Sequence, residues 1–134
     1  MDLAEMRRQV SKARSGVLST VTAQGQPHAV PCCFVLDGEV VYSAVDAKPK
    51  STLALRRLDN LAAYQHACLL VDCYDDDWTE LWWIRLDCDG RVLADGDERE
   101  RTLDLLAEKY PQYRSTRPPG PVIALDITTW RSWP

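Results

Sequence analysis

Hydrophobic residues along the chain follow two different spacings, which separate helices from strands. Apolar residues three or four positions apart, with polar residues between them, are typical of amphipathic helices. This spacing predicts helices over residues 3–13, 51–60 and 97–110. Gly16 and Pro111 follow two of these segments as stop signals, and Ser51 is a suitable N-cap for the third.

Six apolar runs have strand character. They span residues 17–21, 27–36, 39–45, 67–74, 80–94 and 122–127. Asp37-Gly38 lies between two of these runs and predicts a tight hairpin. Pro31 interrupts the second run, which indicates a strand edge or a bulge. The fifth run is either one long strand or a strand with a turn at Asp89-Gly90.

The order of these elements predicts a fold that is mainly β with peripheral helices. Consecutive strands joined by hairpins favour an antiparallel sheet or barrel over a doubly wound sheet. The 134 residues suit one domain, over 1–134. Residues 81–84 are apolar on both faces, so we expect a second subunit to cover the outer face.

Composition and charge reduce the number of functions that the chain could have. The net charge of −4 argues against a nucleic-acid binder held by bulk electrostatics. No apolar run approaches the ~20 residues that span a bilayer. The acidic start lacks a secretory core, and the cysteine count of five is odd. We therefore expect a cytoplasmic protein with reduced thiols.

Familiar catalytic and metal-binding motifs are absent from the sequence. It contains no G-x-S-x-G, H-E-x-x-H, Walker or G-x-G-x-x-G segment. Adjacent Cys32 and Cys33 point to opposite faces of a strand, which disfavours a shared zinc ion. We expect no metal site, and we interpret the acidic segment 75–77 as a solvated hairpin tip.

The segment Lys48-Pro49-Lys50-Ser51 is a candidate phosphate site. Two cations and a hydroxyl precede a predicted helix, whose N-terminal N–H groups and dipole favour an anion. A solvated basic loop is the alternative interpretation. His28, within a strand broken by Pro31, and the pair Trp82-Trp83 are weaker signals, which structural packing would equally explain.

Seven short segments occur in an order that resembles a known family. They are GVLSTV (16–21), GQPHAVP (25–31), VDAKPK (45–50), LRRLDN (55–60), YDDDW (74–78), LWWIR (81–85) and KYPQY (109–113). The chain resembles the pyridoxamine 5′-phosphate oxidase-like split-barrel proteins, and among them the deazaflavin-dependent oxidoreductases of actinobacteria. This resemblance implies a six-stranded antiparallel split β-barrel that forms a homodimer, with cofactor clefts at the interface.

The resemblance also implies a set of cofactor contacts. The phosphate would lie near Lys48, Lys50 and Ser51, and the acidic tail of coenzyme F420 near Arg56 and Arg57. The ring system would lie along the segment from His28 to Cys33, with His28, Val30, Pro31 and Cys32 as contacts. It would also lie along the strand Tyr42-Ser43-Ala44, with Ser43 as a contact. The partner subunit would add Trp78, Trp82 and Trp83.

The implied activity is reduction of a small unsaturated organic substrate by reduced F420, because no side chain can supply a hydride. His28 and Tyr42 are possible proton donors. Two alternatives remain open. One is an FMN-dependent enzyme of the pyridoxamine-phosphate-oxidase type, and the other is a protein that binds flavin, deazaflavin or heme without turnover.

Overall fold

The computed structural model describes residues 1–45 and 52–134, with side chains for residues 1–45 and 56–134. The strands are β1 (Gly16–Val21), β2 (Pro27–Cys32), β3 (Val35–Asp37), β4 (Val40–Ala44), β5 (His66–Cys73), β6 (Trp82–Leu93) and β7 (Val122–Trp133). The helices are α1 (Leu3–Lys12), α2 (Thr52–Ala63), α3 (Asp97–Lys109) and α4 (Gln112–Ser115), with a 3₁₀ turn at Trp78–Glu80.

All seven strands lie in one antiparallel sheet with the order β2-β1-β5-β6-β7-β4-β3. β2 and β3 lie at opposite edges, yet only Cys33 and Phe34 separate them in sequence. Three Cα steps from Cys32 to Val35 span at most about 11 Å. The two edges must therefore approach each other, so the sheet is curled into a barrel.

Cys33 and Phe34 form a crossover between the two sheet edges. This crossover shows that one prediction was wrong, whereas the predicted fold class is confirmed. Residues 27–36 form two strands instead of one, which gives seven strands in the described ranges where six were expected. The apolar run continues across Cys33 and Phe34, so its pattern does not reveal that the chain changes edges there. Pro31 belongs to edge strand β2, where a missing N–H is tolerated.

Among the residues whose side chains are described, two hydrophobic cores stabilise the fold. Inward-facing strand residues fill the barrel, and Met6 and Val10 of α1 pack against them. A second core lies between β4, β7 and α3, around Tyr42, Leu103 and Leu106. α1 begins at a capping box, in which the Asp2 carboxylate accepts from the Glu5 N–H at 2.8 Å.

β6 is one continuous strand, with a bulge between Asp87 and Cys88 instead of a turn at Asp89-Gly90. Its first half pairs with a β7 that extends to Trp133, beyond the predicted end at residue 127. α2 packs against β6 at Gly90, where an added Cβ would lie 2.5 Å from Leu61 Cδ2. A side chain at that position would therefore require the Leu61 side chain to shift.

The acidic hairpin tip satisfies its polar groups locally. Asp75 accepts from the Asp77 N–H at 2.8 Å, and Asp77 accepts from the Thr79 hydroxyl at 2.7 Å. Within the described ranges, no three His, Cys, Asp or Glu side chains are grouped to hold a metal ion. Among the same residues, no helix is long and apolar enough to cross a membrane.

Candidate functional site

A cleft of about 190 Å³ opens where the crossover leaves β2. It is lined by Ser15, Pro31, Cys32, Cys33, Ala44, Arg57 and Tyr113. β4 ends at Ala44, so the chain leads from this cleft directly into residues 46–51. The predicted phosphate-binding residues Lys48, Lys50 and Ser51 lie in that segment, outside the described residues.

The crossover backbone is held on the β4 side by Ser43. The Ser43 hydroxyl donates to the Cys33 carbonyl at 2.8 Å, and the serine is buried. Burial raises the pKa of the neighbouring Cys32 thiol to about 11, so the thiol stays protonated at neutral pH. Cys32 therefore forms part of an uncharged wall, whereas Cys33 is exposed at the mouth.

Arg57 brings a cation into the cleft from α2. Its Nε is buried and has no hydrogen-bond partner within the described part of the chain. A buried guanidinium N–H without an acceptor is costly, so this atom favours a ligand that carries an oxygen. Arg56 is exposed, because successive helical residues point about 100° apart.

The C-terminal end of α3 holds the other side of the crossover. The Lys109 ammonium donates to the Phe34 carbonyl at 2.8 Å and lies 4.1 Å from the Phe34 ring centroid. Burial and the nearby Arg14 guanidinium lower the pKa of Lys109 to about 8. The Tyr110 hydroxyl accepts from the Phe34 N–H at 3.1 Å. Both backbone groups of Phe34 are thereby satisfied away from any strand.

The two possible proton donors do not line the cleft. The Tyr42 hydroxyl donates to Glu98 Oε2 at 2.7 Å, beneath α3. Burial and this bond raise the pKa of Tyr42. His28 pairs across strands with Thr20, and its Nδ1 is buried with no partner among the described residues. Val30 is half-buried on the same strand face as His28.

The predicted tryptophans lie outside the cleft of their own chain. Trp82 packs against the barrel core, and Trp78 is exposed. Trp83 faces outward and lines a larger groove of about 540 Å³ with Leu70, Arg85 and Trp133. That these tryptophans contact the cofactor of a second subunit stays a prediction.

One row of residues links the cleft to this groove across the outer face of the sheet. The register pairs Pro31 with Val17, Val17 with Leu70, and Leu70 with Arg85. Val17 and Leu70 are half-buried and Pro31 is exposed. The outer face is therefore apolar between the cleft and the groove.

Several residues predicted as cofactor contacts line the cleft. They are Pro31, Cys32 and Arg57, together with Cys33 and Ala44 of the two segments predicted to border the ring. Ser15 and Tyr113 also line it and were not predicted as contacts. Tyr113 belongs to the KYPQY segment, whose order in the chain was a usable signal, whereas nothing in the sequence distinguishes Ser15.

The curled antiparallel sheet with peripheral helices is shared with solved split-barrel structures. A conserved hypothetical protein from Mycobacterium tuberculosis aligns with a TM-score of 0.81 and 18% identity, over 99% of this chain and 84% of that chain. The heme storage protein HutZ of Vibrio cholerae aligns with a TM-score of 0.75 and 14% identity, over 98% and 92%. A heme-binding protein of Mycobacterium smegmatis aligns with a TM-score of 0.77 and 18% identity, over 96% of this chain and 52% of that chain.

A match to a family model classifies the chain more specifically than the shared fold does. The model described as pyridoxamine 5′-phosphate oxidase matches residues 3–134, so the chain belongs to this family. No match was found among curated proteins. Identities of 14–18% to the solved structures show a common fold and do not identify the cofactor.

Proposed function

We propose that the protein is an F420-dependent reductase that holds the deazaflavin cofactor in the cleft beside the crossover. The observation that carries this proposal is the buried Arg57 Nε, which has no acceptor among the described residues. A phosphorylated cofactor with an acidic tail supplies oxygen acceptors to such a group. The residues present therefore fit an anionic cofactor.

The distribution of charge supports a polyanionic ligand at this place. The chain carries a net charge of −4, yet Arg56 and Arg57 lie on α2, and Lys48 and Lys50 precede that helix. Cations gathered on an acidic protein attract an anion locally. F420 carries an oligoglutamate tail in addition to its phosphate, which favours it over FMN as the partner of four cations.

The single chain supplies only part of the binding site. Its cleft measures about 190 Å³, below the roughly 300–1,000 Å³ of typical small-molecule sites. We propose that a second copy completes the cleft by packing on the outer face between Pro31 and Trp83. Trp78, Trp82 and Trp83 would then border the cofactor of the partner subunit.

The proposed reaction is a two-electron reduction of a small unsaturated organic substrate. Bound reduced F420 supplies the hydride, and the protein supplies binding, orientation and exclusion of water. The neutral Cys32 wall favours an uncharged ring against it. Because the Tyr42 hydroxyl is committed to Glu98 and His28 does not line the cleft, we propose that the proton comes from solvent.

Binding titrations of the purified protein distinguish the cofactors. We expect F420 to quench tryptophan fluorescence with a Kd at least ten-fold lower than that of FMN. Reduced F420 should then be oxidised when enones or quinones are added. FMN binding as tight as F420 binding would overturn the deazaflavin assignment and support the FMN-dependent alternative.

A double substitution tests the predicted phosphate turn. Lys48→Ala with Lys50→Ala should weaken F420 binding more than ten-fold, because charge-assisted contacts contribute about 1.5–3 kcal/mol each. The thermal midpoint without cofactor should stay within 2 °C of the wild type, since the sequence predicts a loop over residues 46–50 (about 1 kcal/mol shifts the midpoint by several degrees). The matched control is Arg8→Ala with Arg101→Ala, which removes the same charge from two exposed helical positions. Equal losses in both variants would point to bulk charge instead of a phosphate site.

Heme binding without turnover is the second candidate function. The buried, unpartnered Nδ1 of His28 favours it, because histidine is a common axial ligand of heme iron. Two of the structural neighbours are described as heme-storage and heme-binding proteins. Hemin titration followed by the Soret band tests this function, and loss of the band in His28→Ala would support it.

A further inference from the structure

The Tyr110 hydroxyl lies where three separate chain segments meet. It accepts a hydrogen bond from the Phe34 N–H at 3.1 Å. The same oxygen is 2.9 Å from the Arg14 carbonyl and 3.1 Å from the Phe34 carbonyl. A hydroxyl has one proton, so these two carbonyls share a single donor. Loss of that oxygen would leave three backbone groups with weaker pairing.

Each partner of Tyr110 stands next to a wall of the cleft. Arg14 precedes Ser15, and Phe34 follows Cys33, both of which line the cleft. The Tyr110 ring also meets the ring of Tyr113, a third lining residue, edge-on at 5.8 Å between centroids. Tyr110 does not line the cleft itself. It contacts Arg14 and Phe34, which are adjacent in sequence to lining residues, and it contacts the lining residue Tyr113 directly.

Other contacts make this junction rigid. The Arg14 guanidinium donates to the Lys109 carbonyl at 3.0 Å and lies 4.7 Å from the Tyr110 ring centroid. Tyr110 is 5% exposed and Phe34 is fully buried. Buried groups with several fixed partners have little freedom to move independently. A shift of Tyr110 would therefore displace the linker before β1 and the crossover together.

We propose that Tyr110 is a positioning residue, which sets the spacing between the Ser15, Cys33 and Tyr113 walls of the cleft. This inference rests on the proposed function in one respect, namely that the cleft holds the cofactor. Tyr110 contacts neither the proposed cofactor phosphate nor its ring, and acts through the segments that do.

Tyr110→Phe is the informative substitution, because it removes the hydroxyl and keeps the ring against Tyr113. We expect the Kd for F420 to rise at least five-fold. Leu103→Val is the matched control, since it trims a buried residue of α3, the helix that ends just before Tyr110, and Leu103 does not line the cleft. It should lower the thermal midpoint while F420 affinity stays within two-fold of wild type. Equal affinity losses in both variants would reduce Tyr110 to a general stability role and overturn the inference.

A second measurement needs no cofactor. In a Cys68→Ser, Cys73→Ser background, Cys33 is the remaining exposed thiol, because Cys32 and Cys88 are buried. Its reaction rate with an aromatic disulfide reagent reports on the crossover. We expect Tyr110→Phe to raise that rate at least three-fold and Leu103→Val to leave it unchanged.

The two measurements separate the inference from the proposed function. If the wild type binds neither F420 nor FMN, the proposed function fails, and the Cys33 rate still tests whether Tyr110 holds the crossover. If the wild type binds F420 but Tyr110→Phe changes neither the affinity nor the Cys33 rate, the inference fails and the proposed function stands.

Discussion

The Asn60 side chain amide donates a hydrogen bond to the Thr20 hydroxyl at 3.0 Å, and both side chains are buried. This bond joins α2 to β1 inside the barrel. Arg57 lies three residues before Asn60, so it is on nearly the same side of the helix. The bond therefore helps determine where Arg57 enters the cleft.

Asn60→Ala should lower the free energy of unfolding by about 1–3 kcal/mol, because it leaves the buried Thr20 hydroxyl without this partner. Urea unfolding of wild type, Asn60→Ala, Thr20→Val and the double variant forms a double-mutant cycle. We expect the double variant to lose less than the sum of the single losses. Strictly additive losses would show that the two side chains do not stabilise each other.

Glu98 links Tyr42 to a charge cluster at the surface. The Arg91 guanidinium donates to both Glu98 oxygens at 3.0 Å, and a further Arg91 nitrogen donates to Asp126 at 2.7 Å. Hydrogen bonds from Arg91, and then from Tyr42, lower the pKa of Glu98 to about 2. A carboxylate whose pKa is lower in the folded state stabilises the protein above its unfolded pKa of about 4.3.

That stabilisation should disappear as the pH falls from about 4.5 towards about 2. We therefore expect Glu98→Gln to be less stable than wild type at pH 7, and the difference to shrink through this window. Urea unfolding measured between pH 2 and 7 checks this expectation. A difference that stays constant with pH would mean that the Arg91 fork contributes nothing specific to the folded state.

Trp83 lies on the outer face that we propose as the subunit interface. Trp83→Asp would place a charge against an apolar partner surface, which is costly to bury. Light scattering should give twice the chain mass of 15.2 kDa for wild type and the single mass for the variant at micromolar concentration. Tyr64→Asp, at an exposed aromatic residue outside the groove lining, is the control and should leave the mass at the wild-type value. A monomeric wild type would contradict the proposal that two subunits form the cofactor cleft.

The sequence predicted helices and turns correctly wherever the residues that determine them lie within one short segment. The helical spacing of residues 3–13 and 97–110 predicted α1 and α3 to within a few residues, because burial on one side of a helix requires that period. Asp37-Gly38 predicted the β3–β4 hairpin, and Gly38 has the positive φ of 61° that the turn requires.

Features that depend on distant partners could not be predicted from the sequence and required the three-dimensional structure. β7 continues past Ile127 through polar residues because the first half of β6 supplies its ladder, with Trp83 opposite Trp133. Residues 27–36 divide between two sheet edges because the curled sheet brings those edges together. An apolar run specifies burial, and it does not specify the neighbouring strand.

The residues of the candidate site also fall into two groups, those that the sequence predicted and those that only the fold brings together. The sequence predicted the family, the basic segment before α2, and Pro31, Cys32 and Arg57 as separate candidate contacts, because these follow from local motifs in a recognisable order. The three residues meet at one cleft only in the folded chain. The tertiary structure alone brought Ser15 and Tyr113 to that cleft and put the Tyr110 hydroxyl between Phe34 and Arg14. The Tyr110 contacts join residues 76 and 96 positions apart, and only the closed barrel packed against α3 makes them neighbours.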